Sequence, residues 1–329
     1  MSSEKTAKPA PLCGVLVVDK PRACTSHDVV SWARRAFSTR EVGHAGTLDP
    51  MATGVLVVLV GEATKLSSWV TAEDKAYEAD VRFGVETDSL DADGAVTRTV
   101  AHEPLTRDAI ERECAAMVGP MSQVPPLVSA IKVDGVASHE RARRGEAIEL
   151  PPREVTLRSA IVGAVTGDTA RVSLESSKGF YVRSFARDLA ARLGSVAHLT
   201  SLRRTRSGAF SLADSVDGDR LRAARDDLDV REAVRAKLLP LRALEGRMPS
   251  VRVSLAQSLF LLQGRAIEAP EGCPEGVVLV FAEREDVGLP PQPLGLAERS
   301  ESKLSPRRNF APAALSSEWQ PWLDGARSP

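Results

Sequence analysis

The octapeptide GHAGTLDP at residues 43–50 gathers the groups in this chain most capable of chemistry. Gly43 and Gly46 can take backbone angles closed to other residues, so the loop can bend tightly and let a ligand approach. Asp49 precedes Pro50, which biases it towards an extended conformation. Gly54 then opens an apolar run of strand length, GVLVVLVG at residues 54–61. One carboxylate is thereby held on a loop mounted on a buried strand. Such a group can act as nucleophile or base. The plainer alternative is that Asp49 caps a turn, and local chemistry alone favours the turn.

Other chemistries find less support. The four cysteines, Cys13, Cys24, Cys114 and Cys273, have no CxxC spacing and no partner histidines, which argues against a zinc site or a disulfide framework. DSLDADG at residues 88–94 resembles a calcium loop, but its first ligand position is Ser89 and its last falls on Val100, not Glu. An aspartate-dependent hydrolase would need a second acid/base carboxylate or a metal site, and none stands out.

The elements that must position Asp49 follow from periodicity. Residues 14–19 (GVLVVD) predict a buried strand ended by Lys20-Pro21. Thr25 with Asp28 three residues on predicts a capping box, and Val29, Ala33, Ala36 and Phe37 continue as one helix face. Residues 41–53 read as a loop. Tyr77 to Phe83 alternates as a strand, and Ile110, Cys114, Met117 and Val118 mark a helix stopped by Gly119-Pro120. Residues 155–165 and 169–175 predict a long hairpin, and Phe180 to Arg183 runs extended into a helix that Gly194 can end. Mixed charges over residues 214–240 predict a solvated helix pair. From Pro249 the chain turns to short strands broken by Gly and Pro.

The chain has 329 residues, 43% hydrophobic and 26% charged, which is globular composition with length for about two domains. Its 43 Lys+Arg against 44 Asp+Glu exclude a globally basic nucleic-acid binder but leave room for a basic face. The longest uncharged stretch, residues 114–131, carries Pro120, Pro125 and Pro126 and cannot run as a membrane helix.

Five segments in order resemble the bacterial tRNA pseudouridine synthase B family: residues 14–21 (GVLVVDKP), 43–61 (GHAGTLDPMATGVLVVLVG), 124–135 (VPPLVSAIKVDG), 178–189 (KGFYVRSFARDL) and 198–210 (HLTSLRRTRSGAF). The likeness spans residues 12–210 and resumes weakly beyond. It implies an α+β fold: a catalytic domain with a mixed, antiparallel-rich central sheet and flanking helices, plus a small C-terminal β-rich, PUA-like domain. The corresponding divisions are a disordered tail at 1–11, a catalytic domain at 12–247 with an RNA-gripping insert near 124–152, a small RNA-binding domain at 248–312, and a tail at 313–329.

The resemblance implies an isomerase of the T-loop uridine of tRNA, position 55 in tRNA numbering. The base leaves its ribose, turns over and rejoins through carbon. Asp49 would be the reacting carboxylate, as nucleophile or as base in a glycal-type route, and the sequence leaves both open. Tyr77 would stack on the target base and handle a proton, and Arg183 would pair with Asp49 and keep it ionised. His44 would help extrude the base. Tyr181 and Leu202 would line the pocket. RNA contacts would come from Lys20, Lys65, Arg203 and Arg204, with Arg206, Arg141, Arg143 and Arg144 as further basic positions. His139 stands where the family commonly has tyrosine. The reaction needs no redox change or external group transfer, so no metal and no cofactor is expected. The expected partner is the tRNA T-arm stem-loop, without guide RNA or membrane, bound by a cytoplasmic monomer. The rivals are a guide-RNA-dependent synthase and a non-catalytic RNA-binding protein of the same fold.

Overall fold

The computed structural model describes residues 12–101, 103, 105–128, 132–133, 136–137, 150–284 and 289–311. The expected tails at 1–11 and 313–329, most of the insert, His139 and the basic residues Arg141, Arg143 and Arg144 lie outside the described residues.

The main sheet is built from β1 (Gly14–Lys20), β2 (Val42–Ala45), β3 (Thr53–Val60), β4 (Lys75–Phe83), β5 (Gly119–Gln123), β6 (Arg153–Thr166), β7 (Thr169–Ser176) and β8 (Ala197–Ser207). Its order is β1-β3-β8-β4-β7-β6-β5, with β2 also paired to β3. Among these strands neighbours run antiparallel except β3 and β8, which meet in parallel at Arg203↔Thr53 and Arg204↔Gly54, and the short strand Val216–Asp217 adds to β1, also in parallel. The sheet is therefore mixed and antiparallel-rich.

β1 and β3 read as continuous apolar runs because both of their faces are covered. Leu16, Val18, Leu56 and Val58 join a core with the helix α1 (Ser26–Ala36). Val15, Val17, Val55 and Val57 join a second core with Val251, Val278 and Phe281 of the C-terminal sheet. Each such side chain contributes about 1.5–3 kcal/mol on full burial. β4 and β7 alternate instead, since one face meets water: Ala79, Val81 and Phe83 are buried, while Arg171 pairs with Asp80 at 2.8 and 2.9 Å on the open face. The C-terminal sheet has five strands, from Ser250–Val253 to Lys303–Asn309, and carries the helix Leu255–Leu262.

Two local readings differ from the structure. Within the stretch read as a loop, Val42–Ala45 pairs with β3, His44 opposite Val58; four residues with a glycine are too short to show alternation. The helix on the Ile110 face ends at Ala116, which leaves Val118 exposed and turns Gly119–Gln123 into an edge strand. Residues 214–240 form the helices Gly218–Ala223 and Leu228–Arg235, whose Leu221 and Val234 enter the main core.

Candidate active site

The loop carrying Asp49 is fixed from several sides. Thr25 caps α1 with its hydroxyl on the Asp28 amide at 3.1 Å, and Asp28 accepts the Thr25 amide at 2.8 Å, a box worth about 0.5–2 kcal/mol. The next residue, Ser26, accepts from the Leu48 amide at 2.9 Å and donates to the Leu48 carbonyl at 3.1 Å. The Ala23 amide and Lys20 Nζ both reach the Pro50 carbonyl, at 3.0 and 3.3 Å. The helix start thus holds the two residues flanking Asp49.

Arg204 supports the same loop from below. It is 1% exposed, and it donates from Nε to the Val55 carbonyl at 2.7 Å and from Nη2 to Gly46 at 3.0 Å. Its Nη1 donates to Thr47 at 3.4 Å. The close crossing of β3 and β8 depends on Gly54, which sits at φ +100° with Arg204 O only 2.2 Å from where a Cβ would lie. Gly46, at φ +89°, likewise turns the loop over the Arg204 guanidinium.

Arg183 enters from the first turn of α4 (Val182–Arg192), the helix that follows α2 (Ser67–Ala72) and α3 (Arg107–Ala116) in the chain. The carbonyl of Tyr181, just before it, accepts from Gln123 Nε2 at 3.1 Å, and its amide donates to Gln123 Oε1 at 2.8 Å, which locks the helix start to β5. Arg183 is 3% exposed. Its Nη2 donates to Asp49 Oδ1 at 3.0 Å and its Nε approaches Oδ2 at 2.9 Å without the alignment of a hydrogen bond. Nη1 donates to the Ser89 carbonyl at 2.8 Å and faces Asp91 Oδ2 at 3.5 Å. Asp91 is itself buried and held by the Ser89 hydroxyl at 2.6 Å and the Asp93 amide at 3.1 Å. The acidic turn at residues 88–94 is therefore the far wall of the Arg183 site.

These groups bound a cavity of about 270 Å³. Asp49, Arg183, Tyr77, Tyr181, Leu202 and Arg204 all line it, as do Thr71, Lys75, Ser177 and Phe180. The Asp49 side chain keeps 32% of its surface open to this cavity. Burial pushes its carboxyl above the usual carboxylate range; the attraction of Arg183 offsets part of that, and repulsion from Asp91 adds to it. Arg183 acts in the expected direction, favouring the ionised carboxyl, while desolvation is the larger effect and sets the net direction. Tyr77 sits opposite Arg204 in the β4–β8 ladder, where its phenol favours the charged guanidinium.

The remaining expected residues lie elsewhere. His44 is on β2 outside the cavity lining; its Nδ1 is buried without a hydrogen-bond partner among the described residues, and burial pushes its pKa down. Lys20 is 0% exposed and donates to the Cys24 carbonyl at 2.7 Å and to Pro21 at 3.0 Å. Neither Lys20 nor Arg204 presents its charge on a surface that RNA phosphates can reach. Arg203 grips both Asp19 oxygens, at 3.1 and 2.7 Å. Lys65 donates to Glu62 at 2.6 Å and to the Asn309 carbonyl at 2.8 Å, joining the main sheet unit to the C-terminal one. Arg206 pairs with Glu175. The sequence does not single out Asp91 or Lys75: Asp91 belongs to a turn whose partner is 92 positions away, and Lys75 stands two residues before Tyr77 with nothing in its local spacing to mark it.

Comparison with known proteins gives one consistent family. Residues 34–182 match the TruB family pseudouridylate synthase N-terminal domain, and residues 183–244 match the tRNA pseudouridylate synthase B C-terminal domain. The two matches meet inside the first turn of α4, so that boundary is not a structural one. The chain is 44% identical over 276 residues to tRNA pseudouridine synthase B of Aromatoleum aromaticum, covering 84% of this chain and 87% of that protein. It is 42% identical over 288 residues to the protein of that name from Thermobifida fusca, covering 82% and 94%. Among solved structures, a Cbf5-Nop10-Gar1 complex aligns with a TM-score of 0.69 at 22% identity, covering 92% of this chain and 86% of that one, which reflects the fold.

Proposed function

This chain belongs to the TruB family of pseudouridylate synthases, and from that premise we propose that it isomerises the T-loop uridine of tRNA, position 55, with Asp49 as the reacting carboxylate. Conversion of uridine to pseudouridine in tRNA is the activity that the names of its relatives carry. The observation that supports the assignment to Asp49 is its geometry: one carboxylate open to the cavity, with a buried guanidinium behind it.

The reaction breaks the bond between uracil N1 and ribose C1′, rotates the base and joins C5 to C1′; C5 gives up its proton and N1 gains one, so the product is an isomer of the substrate. Asp49 serves it in ionised form, either by bonding to C1′ as N1 leaves and being displaced when C5 bonds there, or by taking a ribose proton in a glycal route and returning it when C5 adds. Arg183 holds the carboxylate oxygens in place, and Asp91 and the Ser89 carbonyl hold Arg183. Such pre-set geometry is where much of the rate comes from. Tyr77 and Leu202 pack on the flipped base, and Tyr77 handles the C5 proton. Tyr181 closes the wall beside them. Extruding the uridine costs a few kcal/mol, met by binding in the cavity.

The protein acts on the T-arm as a cytoplasmic monomer without guide RNA; in support, one chain supplies Asp49, Tyr77 and Arg183 to one cavity, and relatives 42–44% identical carry the name tRNA pseudouridine synthase B. No helix among the described residues is long and apolar enough to cross a membrane. The division into a catalytic domain at 12–247 and a small RNA-binding domain at 248–312 is supported by the separate sheet that starts at Ser250.

The test is incubation of purified protein with a T-arm stem-loop and nothing else, followed by carbodiimide–alkali mapping. A single modified uridine in the loop is expected. An unmodified loop, or modification that appears only after a guide RNA is added, overturns the reading.

A further inference from the structure

Lys75 opens β4 two residues before Tyr77, on the same face of the strand, and lines the cavity that holds Asp49. It is 6% exposed. Its Nζ donates to the Thr71 carbonyl at 2.7 Å and to the Glu73 carbonyl. An ammonium carries three N–H donors, so one remains, on a side chain that borders the cavity and has no further partner among the described residues. Two residues along a strand span about 7 Å, which places Lys75 beyond the base-stacking position of Tyr77, towards the end of the cavity lined by Thr71 and Ser177.

We propose that this third donor binds a phosphate of the RNA next to the flipped nucleotide, making Lys75 a substrate-binding residue of the pocket. The inference rests on the isomerase reading above. A cation held by two carbonyls at the edge of the cavity is positioned before RNA arrives, so little side-chain freedom is lost on binding.

The site has a built-in pH response. Burial pushes Lys75 down to about 8, helped by repulsion from Arg204 on β8 and from Lys178 beyond β7, and opposed by Glu73 and Asp74 in the preceding turn. Tyr77 and Asp49 face the same cavity. A neutral amine keeps two donors, which the Thr71 and Glu73 carbonyls occupy. The donor lost on deprotonation is the one meant for RNA.

The experiment measures kcat and KM on a T-arm stem-loop from pH 7.5 to 8.8 for the wild type, Lys75→Met and Lys75→Arg. The wild-type KM should rise about three- to fourfold across that range while kcat holds. Lys75→Met should have a KM about tenfold higher that no longer varies with pH, and a salt slope shallower by about one phosphate contact. Lys75→Arg, charged throughout, should lose the pH dependence while staying below Lys75→Met in KM. A Lys75→Met enzyme with the wild-type KM profile and salt slope, or one that loses only kcat, overturns the proposal and leaves Lys75 as a cap for two carbonyls. Reductive methylation of the wild-type protein at pH 8, with and without the stem-loop, decides the matter if the variants fail to fold. Protection of Lys75 by RNA supports the contact, and equal methylation refutes it. Because the footprint reads binding alone, a protein that binds but does not convert the loop would fail the isomerase reading without failing this one.

Discussion

Asp49 and Arg183 line one cavity unequally: the carboxylate is partly open to it, while the guanidinium that pairs with the carboxylate is shut off from solvent. The pair is asymmetric: the side chain of Asp49 is partly open while that of Arg183 is buried, and Asp91 sits at the opposite end of the guanidinium. A surface ion pair would let both groups move. Here the cation is fixed by the Ser89 carbonyl and the Asp91 carboxylate, and the anion can be aimed.

If Asp91 acts by aiming Arg183, Asp91→Asn keeps the shape and removes the charge. kcat should fall about 10–100-fold, the scale of a misplacement of about 1 Å, while affinity for tRNA stays within about threefold. Single-turnover rates and filter binding separate the two. A matching loss of affinity would mean that Asp91 serves the RNA rather than Arg183.

The acid side of the rate profile follows from the direction of the Asp49 shift. Its ionised form is the working one, and burial raises its pKa. Activity should therefore fall as pH drops through a value above that of a free aspartate, 3.8. Weakening the pairing with Arg183→Lys removes a contribution that lowers this pKa, so the acid limb should move to still higher pH. An acid limb that stays put in that variant contradicts the assignment.

Arg204 is an internal brace. Arg204→Ala leaves three carbonyls without a donor beneath the Asp49 loop and should destabilise the fold by about 3 kcal/mol or more. The salt dependence of tRNA binding should keep its slope, since no phosphate contact is removed. Denaturant titration and salt-dependent binding on one preparation check both halves.

Gly54→Ala should be worse than a usual surface change. The new methyl group would lie 2.2 Å from a backbone oxygen at a positive φ, with nothing flexible to give way. Loss of about 3 kcal/mol or failure to accumulate soluble protein is expected; a wild-type melting temperature would show that β3 and β8 can part at no cost.

What was legible in the sequence is what depends on neighbours in the chain. The Thr25–Asp28 box, the apolar runs of β1 and β3, and the hairpin of β6 and β7 each declare themselves within a few residues. Asp49 was visible as a held carboxylate, though only the family likeness lifted it above a turn cap. The Arg183–Asp91 contact was not visible, because it joins a helix start to a turn 92 positions earlier. Basic letters misled in one respect. Lys20 and Arg204 read as RNA contacts, yet tertiary packing buries both against backbone carbonyls, and no local pattern distinguishes a buried guanidinium from an exposed one.

The central claim is that the Asp49 carboxylate performs the isomerisation, and Asp49→Asn tests it most directly. The amide keeps the size and polarity of the side chain and loses the charge. With the T-arm stem-loop in single turnover, the variant should bind RNA within a few-fold of wild type and form no pseudouridine over hours. Measurable conversion at even a thousandth of the wild-type rate, on a preparation free of wild-type enzyme, would contradict the account.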